Sequence, residues 1–103
     1  MIEIKTAEEF NTIVANNDVV FVKFGAEWCG PCKTMHTVME ELEKNIEGVA
    51  VCEVDVEEVE ELANGFKIRN VPTSFIFKNG ELVEKIVGAH SESELREKLN
   101  NVM

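Results

Sequence analysis

Six consecutive residues, Val19-Val20-Phe21-Val22-Lys23-Phe24, limit what this chain can fold into. The run is almost wholly apolar and rich in β-branched side chains, so Val19 to Gly25 reads as a strand. It lacks the apolar–polar alternation of a strand with one wet face. Both faces therefore need cover, which places the strand at the centre of a sheet with helices on either side. Lys23 is the misfit, a charge inside a segment that predicts burial.

The rest of the chain supplies those layers. Ile2 to Lys5 alternates apolar and polar and predicts a short strand. Thr6-Ala7-Glu8-Glu9 has the spacing of a capping box. The helix it opens carries Ala7, Phe10, Ile13 and Val14 on one face, and Asn16-Asn17-Asp18 ends it. Pro31 to Ile46 predicts a second helix, with Met35, Val38, Met39, Leu42 and Ile46 as its apolar stripe, so the methionines are assigned to packing. Val49 to Val56 reads as another buried strand, followed by a short helix with Val59, Leu62, Ala63 and Phe66 inward. Asn70-Val71-Pro72-Thr73 turns into a strand from Ser74 to Lys78, and Asn79-Gly80 is a hairpin signal joining it to Leu82 to Val87. Ser91-Glu92-Ser93-Glu94 is a second capping box, opening a last helix with Leu95, Leu99 and Val102 inward. The order is β-α-β-α-β-α-β-β-α. It predicts an α/β sandwich: parallel, right-handed crossovers among the first three strands, a closing antiparallel hairpin, and helices on both faces.

At 103 residues the chain is expected to form one domain, 1–103, with a core that needs no metal or disulfide staple. The N-terminus is too short and acidic for a signal peptide, and no apolar run approaches the roughly 20 residues that span a bilayer. A cytoplasmic location is the expectation, with no membrane partner. The net charge is −10 without a basic cluster, which argues against nucleic acid, since phosphate binding needs concentrated Lys and Arg. Acidic runs such as Glu57-Glu58-Val59-Glu60-Glu61 read as solvated helical surface.

Chemistry concentrates in Trp28-Cys29-Gly30-Pro31-Cys32, where the buried strand gives way to the second helix. Two thiols at this spacing close into a small disulfide and reopen. Only a thiolate exchanges disulfides. Cys29 precedes the helix, where free N–H groups and the helix dipole favour an anion, so its pKa is expected below that of a free thiol. Cys32, one turn further in, is expected to be the less accessible sulfur. Cys29 would attack and Cys32 would resolve. Gly30 keeps the turn open, Pro31 fits a first helical turn without losing a hydrogen bond, and Trp28 offers an apolar wall. Zinc sites use the same cysteine spacing but need about four ligands. The remaining candidates, Cys52, His36 and His90, form no second pair, so no metal is expected. His36 and His90 read as solvated surface and Cys52 as a buried strand residue.

The segment Phe24-Gly25-Ala26-Glu27-Trp28-Cys29-Gly30-Pro31-Cys32-Lys33 closely resembles the active-site segment of the thioredoxin family. The likeness continues through Val71-Pro72-Thr73, Phe77-Lys78-Asn79-Gly80 and Val87-Gly88-Ala89, in the same order and over essentially the whole chain. It implies a thioredoxin fold, a mixed five-stranded sheet flanked by four helices. It implies a protein-disulfide reductase with no cofactor beyond the Cys29–Cys32 disulfide. It aligns Pro72 with a cis-proline facing the disulfide. It also assigns Trp28, Gly30, Pro31, Val71, Pro72, Val87, Gly88 and Ala89 to an apolar client-binding surface. The implied cycle draws electrons from a thioredoxin reductase and passes them to clients such as ribonucleotide reductase, peroxiredoxin and methionine sulfoxide reductase, with the protein a monomer.

The chain departs from that pattern behind the cysteines. Lys23 stands where the family usually has a buried aspartate that helps move the proton of the second cysteine, and Val51 where a lysine often sits. By strand parity Glu53 shares a face with Val51 and is placed to meet Lys23. Lys23 then either modulates the cysteine pair, as a base for Cys32 or as a charge stabilising a thiolate, or snorkels to the rim and pairs with an acid. Thr37 replaces a mid-helix proline, and Gly25 stands where many bacterial members carry a second tryptophan. Two alternatives follow: a more oxidising or client-specialised relative, and a binding module that uses the same apolar surface without catalysis.

Overall fold

The computed structural model describes residues 1–103. Its elements are β1 (Ile2–Ile4), α1 (Ala7–Asn16), β2 (Val19–Gly25), α2 (Gly30–Asn45), β3 (Val49–Asp55), α3 (Glu60–Gly65), β4 (Thr73–Lys78), β5 (Glu81–Val87) and α4 (Glu92–Val102). The strands form one sheet in the order β1-β3-β2-β4-β5. β1, β3 and β2 run parallel, while β4 is antiparallel to β2 and β5 to β4. This is the mixed five-stranded sheet and element order that the periodicity predicts.

β2 lies in the middle and all of its residues are buried. Its alternation divides the core. Val20, Val22 and Phe24 join Phe10, Val54, Leu62, Phe75 and Phe77 on the side of α1 and α3. Val19 and Phe21 join Met35, Met39, Leu42, Ile76, Leu95 and Leu99 on the side of α2 and α4. A strand with period 2 can feed two cores only if neither face is wet, so helices on both sides follow from its composition. The α1/α3 side is filled by phenylalanines, with Phe66 packed against Phe10, Phe24, Phe75 and Phe77.

Local chemistry fixes the element ends. Ser91 forms a complete capping box: its hydroxyl accepts the Glu94 N–H at 3.2 Å and the Glu94 carboxylate accepts the Ser91 N–H at 3.2 Å. Thr6 makes half of one. Its hydroxyl accepts the Glu9 N–H at 3.1 Å, but the Glu9 carboxylate meets the Thr6 hydroxyl rather than its backbone. Asn79 and Gly80 have φ of 51° and 84°, the left-handed pair that a tight two-residue hairpin requires. No helix is long and apolar enough to cross a membrane.

Candidate active site

The cysteines sit where β2 ends and α2 begins, at the carboxyl edge of the central strand. Cys29 is the N-cap of α2, and its sulfur accepts the Cys32 N–H at 3.2 Å. One otherwise free N–H of the helix start thus points at the first sulfur. Pro31 occupies the first turn, where its missing donor costs nothing. Cys29 and Cys32 are joined as a disulfide. Both residues are buried, at 5% and 3% exposure, so the expected contrast between an open first sulfur and a closed second one is slight in this form.

Two further segments frame the pair. The Val71–Pro72 peptide is cis, as the resemblance implies, and the Val71 carbonyl lies 3.7 Å from the Cys29 sulfur. The Pro72 carbonyl accepts the Gly88 N–H at 2.9 Å, with Gly88 at φ 85°, which ties the two loops together. Trp28 is 69% exposed and its indole N–H donates to Glu57 at 3.2 Å. It is an open surface anchored by its polar edge. Val87 is 54% exposed. Gly30, Pro31 and Ala89 are exposed and Val71 is half-buried, but Pro72 is buried and shapes the surface from below.

Behind the disulfide lies the feature that resemblance does not supply. Lys23 is only 5% exposed. Its ammonium donates to the Cys32 carbonyl at 3.1 Å and pairs with the Glu53 carboxylate at 3.2 Å. Pairing with an acid, which parity suggests, is what the structure has; a lysine reaching the rim is not. The same Glu53 oxygen lies 2.9 Å from Nδ1 of His36. Burial pushes the Glu53 carboxyl up, but the His36 hydrogen bond and the Lys23 charge outweigh it and hold the group below the usual carboxylate range. The His36 side chain stays 42% exposed, a surface histidine as expected, but one anchored to Glu53. His90 is likewise engaged, with Nδ1 3.3 Å from Glu94 and Nε2 3.0 Å from the Val87 carbonyl.

An open cleft of about 520 Å³ reaches this cluster and is bordered by Lys23, Gly25, Cys32, His36 and Glu53 among others. Gly25 is a matter of space. A Cβ there would stand 3.1 Å from the Cys32 sulfur and 3.3 Å from the Lys23 Cε. α2 runs unbroken past Thr37, whose hydroxyl donates to the Lys33 carbonyl at 3.5 Å. Cys52 is fully buried and unpaired, and burial pushes its thiol up to about 12.

Residues 1–101 match the family model described as Thioredoxin. "Thioredoxin 1" of Plasmodium falciparum is 38% identical over 94 residues, covering 90% of each chain. A "Bifunctional thioredoxin reductase/thioredoxin" of Mycobacterium leprae is 35% identical over 103 residues, covering 99% of this chain and 22% of that protein. A solved structure of Plasmodium falciparum thioredoxin superposes with a TM-score of 0.92 at 34% identity, covering 100% of both chains.

Proposed function

The chain belongs to the thioredoxin family and is a thiol–disulfide oxidoreductase of the protein-disulfide reductase type; on that premise we propose that Cys29 attacks client disulfides and Cys32 resolves them. The observation that carries the order of attack is the Cys32 N–H aimed at the Cys29 sulfur from the first turn of α2. A backbone donor and the helix dipole favour a thiolate at Cys29. Cys32 has its own carbonyl held by Lys23 and sits one turn deeper.

In the cycle, the Cys29 thiolate attacks one sulfur of a client disulfide and expels the other as a thiolate. Cys32 then attacks Cys29, re-forming the intramolecular disulfide and releasing the second client thiol. Two electrons pass to the client. The exposed Trp28, Gly30, Pro31, Val87 and Ala89, with Val71, Pro72 and Gly88 behind them, form the client surface. A thioredoxin reductase returns the electrons. The fused reductase and thioredoxin of Mycobacterium leprae supports that partner. Clients of the kind served are ribonucleotide reductase, peroxiredoxin and methionine sulfoxide reductase. The setting is cytoplasmic electron transport by a monomer without nucleic acid, membrane, metal or added cofactor.

The test is insulin reduction by dithiothreitol with wild type, Cys29→Ser and Cys32→Ser. Wild type accelerates the reaction, Cys29→Ser does not, and Cys32→Ser accumulates a mixed disulfide on Cys29. An inactive wild type would instead favour a binding module.

A further inference from the structure

Three polar side chains stand in register across the sheet behind the cysteine pair: Glu53 of β3, Lys23 of β2 and Ser74 of β4. Residues opposite one another on neighbouring strands point to the same face. Here that is the α2 face, because Val51, Phe21 and Ile76, two positions away on each strand, pack with Met35 and Leu42. The apolar core thus ends in a polar row at the edge where Cys32 sits.

Nothing in the fold demands this row. A well-packed apolar side chain usually fills such a position at less cost than a buried ion pair. Yet the lysine is held from two sides, by the Cys32 carbonyl and by Glu53, and Glu53 is held in turn by His36. The lysine also lies close to the reacting atom. The Lys23 Cε and the Cys32 sulfur are 3.3 and 3.1 Å from one point, the site of an absent Gly25 Cβ. Ser74 adds a fully buried hydroxyl with no hydrogen-bond partner while the disulfide is closed.

We propose that Lys23, clamped by Glu53 and the Cys32 carbonyl, is a positioning residue for the resolving step, keeping a fixed positive charge beside Cys32 that stabilises its thiolate. This deepens the proposed function and rests on its order of attack. In the mixed disulfide, the Cys32 thiol gives its proton to solvent through the cleft. The Cys32 thiolate attacks the Cys29 sulfur, the Cys29–client S–S bond breaks, and the client sulfur leaves as a thiolate that takes up a proton. The Lys23 charge lowers the cost of the anion that burial would otherwise raise. The same charge favours the dithiol over the disulfide, so it makes the pair more oxidising. The other charged or titratable groups bordering the cleft are Glu3 on β1, Glu27 before the disulfide, Lys33 and His36 on α2, and Glu53 and Asp55 on β3.

The experiment follows ionisation of Cys32 in the Cys29→Ser chain, by alkylation against pH with the label mapped to Cys32 by mass spectrometry, so that Cys52 does not contribute. With Lys23 present, Cys32 is expected to ionise no higher than a free thiol despite its burial. Adding Lys23→Met moves the midpoint up so that about tenfold less thiolate is present at neutral pH, while Lys23→Arg keeps most of it. In the chain with both cysteines, at a pH above both midpoints where Cys32 is a thiolate, Lys23→Met shifts the glutathione equilibrium about tenfold towards the disulfide. An unchanged midpoint in Lys23→Met overturns the proposal. So does a Cys32 midpoint above a free thiol's with Lys23 in place, a result obtainable even if Lys23→Met does not fold. A client trapped on Cys32 rather than Cys29 overturns the order of attack, whereas these titrations report on the lysine alone.

Discussion

Lys23 and Glu53 meet at 3.2 Å, ammonium to carboxylate, from register partners on the adjacent parallel strands β2 and β3. The lysine is shut in and the glutamate is partly open to the cleft, so the ammonium has only Glu53 and the Cys32 carbonyl for compensation, whereas the carboxylate also meets solvent.

That asymmetry predicts unequal costs. Glu53→Gln leaves a buried ammonium without its counter-charge and should destabilise the protein by about 2–3 kcal/mol, somewhat under the cost of breaking a fully enclosed pair. Replacing both partners, as in Lys23→Met with Glu53→Leu, removes the orphan and should cost less than Glu53→Gln alone. Urea unfolding of wild type and these two variants measures this. A Glu53→Gln chain within about 0.5 kcal/mol of wild type would mean that solvent screens the pair as it does at a surface.

The same carboxylate gives the pair an acid limit. Glu53 ionises more readily in the folded chain than in the unfolded one. Its stabilisation is therefore fully present above the unfolded carboxylate range, near pH 4.5, and is lost as the pH falls through the lower folded value. The stability gap between wild type and Glu53→Gln should narrow from pH 6 to pH 3. Partial exposure keeps the effect modest. A gap that stays constant over that range would show that Glu53 does not carry it.

The fold was legible because its signals are local and agree with one another. The two-sided apolar run of β2 demands two helical layers, Asn79-Gly80 dictates a hairpin, and Ser91 with Glu94 dictates a helix start. The cysteine pair was equally plain. The cluster behind it was only half visible: strand parity brings Glu53 to Lys23, but no spacing rule reveals His36. Its approach to Glu53 depends on how α2 lies across β3, seventeen residues along the chain. The signal that was available is a histidine one turn beyond Cys32 and one turn before Met39, at the edge of the helical face that these two turn towards the sheet. The unpartnered Ser74 hydroxyl was hidden for a similar reason, since only the register of β4 against β2 sets it opposite Lys23.

Gly25 should resist substitution on grounds of space. Its backbone is ordinary extended strand, so alanine brings no conformational penalty. The added methyl would, however, press on the Cys32 sulfur and Cβ and on the Lys23 Cε, all at 3.1–3.3 Å. Gly25→Ala should cost about 1–2 kcal/mol, in the range of other overpacked sites. Lys23→Ala has its own cost, since it leaves Glu53 unpaired, but Gly25→Ala should cost less in that background than in wild type because one of the crowded neighbours is then gone. Thermal unfolding of the four chains of this cycle under oxidising conditions decides it. No loss in Gly25→Ala would show that Cys32 and Lys23 shift freely.

Cys52 sets an alkaline limit and should be inert until the chain opens. It is fully buried on β3, and burial pushes its thiol up to about 12. At pH 8 a thiol at the ordinary value of 9.0 is about one-tenth ionised, whereas Cys52 would be ionised in about one molecule in ten thousand. Iodoacetamide should therefore modify Cys52 in the folded protein about a thousandfold more slowly than in urea. The raised value also has a stability consequence. Between about pH 9 and pH 12 the unfolded chain loses the Cys52 proton and the folded chain keeps it, so stability should fall by up to about 1.4 kcal/mol per pH unit. Below pH 9 both states hold the proton and the effect vanishes. Cys52→Val should flatten the alkaline slope while leaving insulin reduction at its wild-type rate, because Cys52 faces the α1/α3 core and Cys29 and Cys32 lie in a separate cluster. Fast native alkylation mapped to Cys52, or an alkaline slope unchanged by Cys52→Val, would show that the thiol is reached by solvent through local opening of β1 from β3.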